Sequence, residues 1–200
     1  FAAADVTNAE QMAAAISMAE TKGAIRAVVH CAGRGGALRL VEKDGSPGSL
    51  ELYTDVITTN LIGTFNVLRL AAASMAKNEP VDGERGAVVL TASVAAFEGQ
   101  IGQIPYASSK AGIVGMTIVA ARDLAGKFIR VNTIAPGLFD TPLLAKLPQE
   151  VRDSLGKTVV NPRRLGVPPE FGRLSIDLLE NSYINGETIR IDGAIRMTPR

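Results

Sequence analysis

Apolar positions along this chain recur with two spacings, and the two alternate. Residues 26–31, 86–93 (GAVVLTAS), 128–135 (FIRVNTIA) and 187–192 are short runs rich in β-branched residues. Runs of this length predict strands, and the near-continuous ones predict strands buried on both faces. Residues 1–5 read as the end of a further strand. Between the runs, Leu52, Val56, Leu61, Phe65 and Leu68 stand near helical spacing, which predicts a helix over 50–78. A second long helix is expected over 104–125, with shorter ones over 149–155 and 169–179. An Ala-rich helix ends near Lys22; Thr7 and Asn8 are N-cap types, Glu10 completes a capping-box pattern with Thr7, and Gly23 supplies the stop. Strands alternating with helices of these lengths predict an α/β domain built on a parallel sheet, helices on both faces. In such sheets ligands sit beyond the carboxyl ends of the strands. Asp5, Cys31 to Gly33, Ser93 and Pro136-Gly137 all fall at such ends.

Composition changes this picture little. The 200 residues suit a single domain, 1–200, and 46% hydrophobic with 20% charged residues is ordinary globular usage. Net charge is +1 with both signs scattered, so no basic stripe argues for nucleic acid or an anionic membrane surface. The longest apolar run, 111–121, is short of the roughly 18–20 residues that span a bilayer. One cysteine, Cys31, permits no internal disulfide and reads as a small buried residue.

The chemistry sits in the second long helix. Tyr106 and Lys110 are four apart and share one helical face. A phenol of pKa about 10 exchanges protons poorly near neutrality, and an ammonium beside it would favour the phenolate. Ser93, at the end of the preceding strand, can hold a carbonyl or alcohol oxygen beside the phenol. A Tyr-x-x-x-Lys pair alone arises by chance in about one such chain in ten. Its company is the stronger signal: a serine upstream at a strand end, an Ala-Gly turn after an earlier strand, and Pro-Gly after a later one.

Ser93, Tyr106-Ala-Ser-Ser-Lys110, Cys31-Ala32-Gly33, Asn60 and Pro136-Gly137 match in order and spacing the short-chain dehydrogenase/reductase family. Within it, TASVAAFEGQIGQIPYASSKAGIVGMT, IRVNTIAPGLFDTPLL and NGETIRIDGAIRM resemble the type 2 3-hydroxyacyl-CoA dehydrogenases, also described as 17β-hydroxysteroid dehydrogenase type 10. The resemblance implies a Rossmann-like, doubly wound parallel sheet and an NAD-dependent oxidoreductase interconverting (S)-3-hydroxyacyl-CoA and 3-oxoacyl-CoA. Tyr106 would be the general acid/base, Lys110 would lower its pKa and bond the nicotinamide ribose, and Ser93 and Gln103 would contact substrate. Asn60 would hold a water leading from Lys110 to solvent. Asp5 and Val6 correspond to adenine contacts, Cys31, Ala32 and Gly33 to the turn lying against the cofactor, and Phe139 and Thr141 to nicotinamide-side contacts. No metal is implied. Residues 34–50 resemble a substrate-side insertion; with 136–168 they are expected to wall an acyl-binding cleft.

Two departures stand out. His30 occupies a position where the family usually has Asn, and reads as a structural substitute. The family's opening strand, glycine-rich Thr-Gly-x-x-x-Gly-x-Gly turn and second strand have no counterpart, so a sheet lacking its first two strands is expected. The helices over 50–78 and 104–125 resemble the family's dimer-forming pair, and tetramers would be usual. The cytoplasm, or the mitochondrial matrix in a eukaryote, is the expected location. Two other readings stay open: an NADP-dependent 3-oxoacyl carrier-protein reductase or steroid dehydrogenase, and a scaffold subunit without turnover.

Overall fold

Four parallel strands form one sheet in the computed structural model, which describes residues 1–142 and 144–199. Their order is β1 (Ala27–Val29), β2 (Gly86–Thr91), β3 (Ile129–Pro136) and β4 (Thr188–Ile191). Parallel neighbours require crossovers, and helices supply them. After α1 (Ala9–Glu20) and β1 come α2 (Leu50–Ile57) and α3 (Gly63–Met75); α4 (Ile104–Asp123) follows β2. Between β3 and β4 lie α5 (Gln149–Thr158) and α6 (Pro168–Glu180).

The period-2 alternation of the strands sorts the core into two layers. Val88 and Leu90 of β2, with Ile129 and Val131 of β3, pack against Leu68 and Met75 of α3 and Ile113 and Ala121 of α4. Val89 and Ile134 point the other way, onto Leu178 of α6. The doubly wound α/β architecture expected from the sequence is therefore present. Leu50–Met75 is long and apolar enough to cross a membrane by length and composition, but half of its most apolar window is buried inside the fold.

Several local expectations are corrected. Residues 1–5 form no strand: a strand exists only by its ladder, and Phe1 is fully exposed with no pairing partner for the segment among the described residues. Asn8, not Thr7, caps α1, accepting from Glu10 N and Gln11 N, while the Thr7 hydroxyl donates to Asp5. Consequently the Thr7–Glu10 capping box does not form. The run over 26–31 shortens to β1, which is not buried on both faces: among the described residues it pairs only with β2, and Val29 is 41% exposed.

The long helix is interrupted. Thr58–Ile62 makes a π turn between α2 and α3, with Asn60 inside it and fully buried. Such turns widen a helix by one residue and re-aim a side chain. At the amino end of the sheet, Arg130 is buried and donates to the carbonyls of Leu178, Leu179 and Ile184 at 2.7–2.9 Å. Its Nε meets Glu84 at 2.6 Å. The guanidinium thus satisfies the carbonyls that the C-terminus of α6 leaves without intrahelical partners.

Candidate active site

Strand ends and α4 bring the polar residues together at the carboxyl edge of the sheet. Ser93 follows β2 and is buried; its Oγ accepts from Ala95 N at 3.2 Å, and its hydroxyl lies near enough to the Tyr106 phenol to act on its pKa. Gln103 begins α4 and Pro105 sits in its first turn, where a missing N–H costs nothing. One turn on, Lys110 is buried and donates to the Thr91 carbonyl at 2.8 Å.

Burial governs both ionisable groups. It pushes the Tyr106 phenol above its usual value, with the Ser93 hydroxyl pulling the other way. The direction is opposite to the one expected from the Tyr-Lys spacing. The reason is geometric: the phenol is buried, and Lys110 Nζ stands 5.7 Å from the ring centroid with one of its donors on a backbone carbonyl. Burial also brings the Lys110 ammonium down to about 8, and the nearby Cys31 opposes that fall.

Asn60 performs a different task from a simple polar neighbour. Its Nδ2 donates to Arg34 O at 2.9 Å and to Ser109 Oγ at 3.0 Å, while its Oδ1 accepts from Arg34 N at 2.8 Å. The π turn thereby ties the chain beyond Gly33 to α4. Ser109 passes the link on, donating to the Tyr106 carbonyl at 2.7 Å. Thr91, Ser109 and Arg34 were not singled out from the sequence; Ser109 lies inside the Tyr-Ala-Ser-Ser-Lys segment, and Thr91 carried no signal beyond its place at a strand end.

Cys31, Ala32 and Gly33 leave the end of β1 exposed, and Cys31 is an exposed free thiol, not the buried residue expected. It protrudes because β1 is an edge strand that stops two residues earlier. A Cβ on Gly33 would sit 3.3 Å from Asn60 Oδ1 and 3.6 Å from Lys110 Nζ. An exposed backbone running this close over a buried ammonium fits the polar ribose end of a nicotinamide cofactor. Phe139 and Thr141 follow β3 at the same edge; the Phe139 ring lies against Gly166, and Thr141 O accepts from Ala145 N at 2.8 Å. Asp5 and Val6 are fixed beside α3. The Asp5 carboxylate accepts from Thr7, and Val6 packs on Gly63, where a Cβ would be 2.7 Å from Val6 Cγ2.

The two segments expected to wall an acyl cleft each border a hollow. Residues 34–50 fold into a small hairpin whose Leu38 pairs with Gln103 at the start of α4. A hollow of about 130 Å³ behind Phe139 is lined by Val159, Pro162, Arg164 and Asp192. A separate hollow against the hairpin is lined by Arg39, Val41, Glu42 and Ser46 and shares no lining residue with the one behind Phe139.

Comparison with known proteins decides the family. A family model described as enoyl-(acyl carrier protein) reductase matches residues 1–195. The chain belongs to the short-chain dehydrogenase/reductase family. The chain is 53% identical over 202 residues to the bovine 3-hydroxyacyl-CoA dehydrogenase type-2, covering 100% of this chain and 77% of that one. A crystal structure of 3-hydroxyacyl-CoA dehydrogenase type-2 from Mycobacterium avium is 49% identical, with a TM-score of 0.96 over 100% of this chain and 78% of the other. The 3-oxoacyl-(acyl-carrier-protein) reductase of Thermotoga maritima is 39% identical over 148 residues, covering 72% of this chain and 57% of that one. As a short-chain dehydrogenase/reductase, the protein is an oxidoreductase that works with a nicotinamide cofactor.

Proposed function

We propose that the protein interconverts (S)-3-hydroxyacyl-CoA and 3-oxoacyl-CoA with NAD. The observation that carries this reading is the meeting of Ser93, Tyr106 and Lys110 at one sheet edge, within a chain similar throughout its length to 3-hydroxyacyl-CoA dehydrogenases. The shorter and weaker likeness to the carrier-protein reductase gives the NADP-dependent alternative less support. An intact Ser-Tyr-Lys set speaks against a scaffold without turnover.

In reduction, the keto oxygen lies between the Ser93 hydroxyl and the Tyr106 phenol. When bound, NAD(H) supplies or takes up the hydride. Tyr106 gives its proton to the oxygen as the carbonyl carbon is reduced, and the resulting phenolate is stabilised by the Lys110 ammonium. Oxidation runs the same steps backwards, with the phenolate as base. Burial of Ser93 and Lys110 keeps these dipoles out of bulk water, where they act more strongly. The backbone of Cys31, Ala32 and Gly33, the Lys110 ammonium and the Phe139 and Thr141 segment would hold the nicotinamide half. Asp5 and Val6 would hold the adenine, and Gln103 the substrate side. Exposed Ile62 and Phe65 on the long helix, with Ile118 and Val119 on α4, support a homotetramer. A cytoplasmic or mitochondrial-matrix setting completes the proposal.

Acetoacetyl-CoA reduction is expected to run faster with NADH than with NADPH at equal concentration. Tyr106→Phe is expected to lower turnover by roughly 10²–10⁴ while leaving cofactor affinity nearly unchanged. Activity restricted to NADPH and carrier-protein thioesters would transfer the protein to the alternative. A Tyr106→Phe enzyme keeping half its turnover would remove Tyr106 from the chemistry.

A further inference from the structure

His30 presents an unmet hydrogen-bonding need next to the catalytic lysine. It follows Val28 by two residues, and Val28 packs on the α3/α4 side of the sheet, so alternation puts the imidazole on the side of Asn60 and Lys110. The side chain is 5% exposed, and among the described residues its Nε2 is buried without a hydrogen-bond partner. An unpaired buried nitrogen is costly, so native proteins rarely leave one idle. Two links place His30 beside Lys110. Thr91 Oγ1 donates to the His30 carbonyl at 2.7 Å, and the same residue's carbonyl receives Lys110 Nζ at 2.8 Å. In addition, the Lys110 charge is felt at the imidazole and helps to hold it neutral.

Lys110 has the complementary need. An ammonium carries three donors, and the Thr91 carbonyl takes one of them. Asn60, the residue expected to hold a water beside Lys110, makes four hydrogen bonds of its own, and its Oδ1 keeps one acceptor site. Both Nδ2 donors go to Arg34 O and Ser109 Oγ, Oδ1 accepts from Arg34 N, and its carbonyl accepts from Thr64 Oγ1 at 2.5 Å. A buried donor with capacity to spare and a buried acceptor with none of its capacity used thus flank the same strand end.

We propose that His30 is a positioning residue for Lys110: a single buried water accepts from the Lys110 ammonium and donates to His30 Nε2. The imidazole is then neutral with its proton on Nδ1. Such a water, held by two buried groups, meets the usual requirement of two to four polar partners. The bridge keeps the ammonium pointed into the site and favours its charged form, which in turn favours the Tyr106 phenolate. The kinetic part of this inference rests on the proposed dehydrogenase reaction; the structural part does not.

Nitrogen-15 NMR of the labelled protein tests the structural part directly, because His30 is the chain's single histidine and His30→Gln assigns its signals. The expected result is the Nδ1–H tautomer at neutral pH, with an Nε2 shift that moves in Lys110→Met. A proton on Nε2, or an Nε2 shift indifferent to Lys110→Met, overturns the proposal. The kinetic arm compares His30→Gln, whose amide oxygen can stand where Nε2 stood, with His30→Leu, which has no acceptor. In alcohol oxidation, the rising limb of the kcat profile should move upward by about one pH unit in His30→Leu and stay in place in His30→Gln. Unchanged limbs in both variants overturn the positioning role. Should His30→Leu fail to fold, the tautomer measurement still decides. Should the wild-type enzyme not oxidise 3-hydroxyacyl-CoA, the proposed function fails and the tautomer result stands apart from it.

Discussion

Burial gives His30 an acid-dependent cost. Desolvation, with the Lys110 charge second, lowers its pKa from 6.5 to about 4. An unfolded chain therefore binds a proton between those values that the native state refuses. Stability is fully present above about 6.5 and is lost as pH falls toward 4, by on the order of 3 kcal/mol at the acid end. The proton-free His30→Gln should lose less stability over that range. Urea midpoints of the two proteins at neutral pH and near pH 4 check this, and equal losses would mean that His30 does not titrate as its burial requires. At this scale the sequence was informative where a residue type has one use. Ser93, Tyr106 and Lys110 were legible from spacing and strand position, and they meet. The exposure of Cys31 and the direction of the Tyr106 shift were not, because both depend on what surrounds a side chain in three dimensions.

Among the elements, α4 and the strands β2 and β3 follow the hydrophobic pattern to within a few residues. Their apolar positions face cores on both sides, so periodicity and burial agree. The pattern failed at the chain's first segment, where Phe1–Asp5 find no ladder, and at Thr58–Ile62, since nothing in the residue types distinguishes a π turn from an α turn. Arg130 was likewise invisible as a helix cap, because it reaches α6 from 48 residues away in sequence. Replacing it by methionine strands three carbonyls and the Glu84 carboxylate. Breaking such a buried pair costs roughly 3–5 kcal/mol. Arg130→Met should therefore melt well below the wild type yet keep its kcat at low temperature, since the guanidinium lies at the sheet edge opposite the site. Thermal denaturation and turnover measured on the same preparation separate the two effects.

Across the whole molecule, burial falls from the centre of the sheet toward β1. Every described residue of β2 but the last is buried, and β3 is buried over its first seven residues, whereas α1 contains no buried residue. Local opening follows such gradients. Amide hydrogen exchange should be fastest in α1 and β1 and slowest in β2 and β3; comparable protection throughout would show that the β1 side is covered in solution. The parallel α/β architecture was legible as a whole because alternating elements leave few topologies to choose from.

The π turn has one more consequence. Five residues here do what an α-helix would do with four, so α2 and α3 keep their packing faces although the chain between them carries a surplus residue. A deletion at Thr59 would close that surplus and leave both flanking faces in phase, whereas the same deletion in α3 would rotate everything beyond it by about 100°. The helix therefore contains one place where chain length can change without frameshifting its hydrophobic code. It is the place that delivers Asn60.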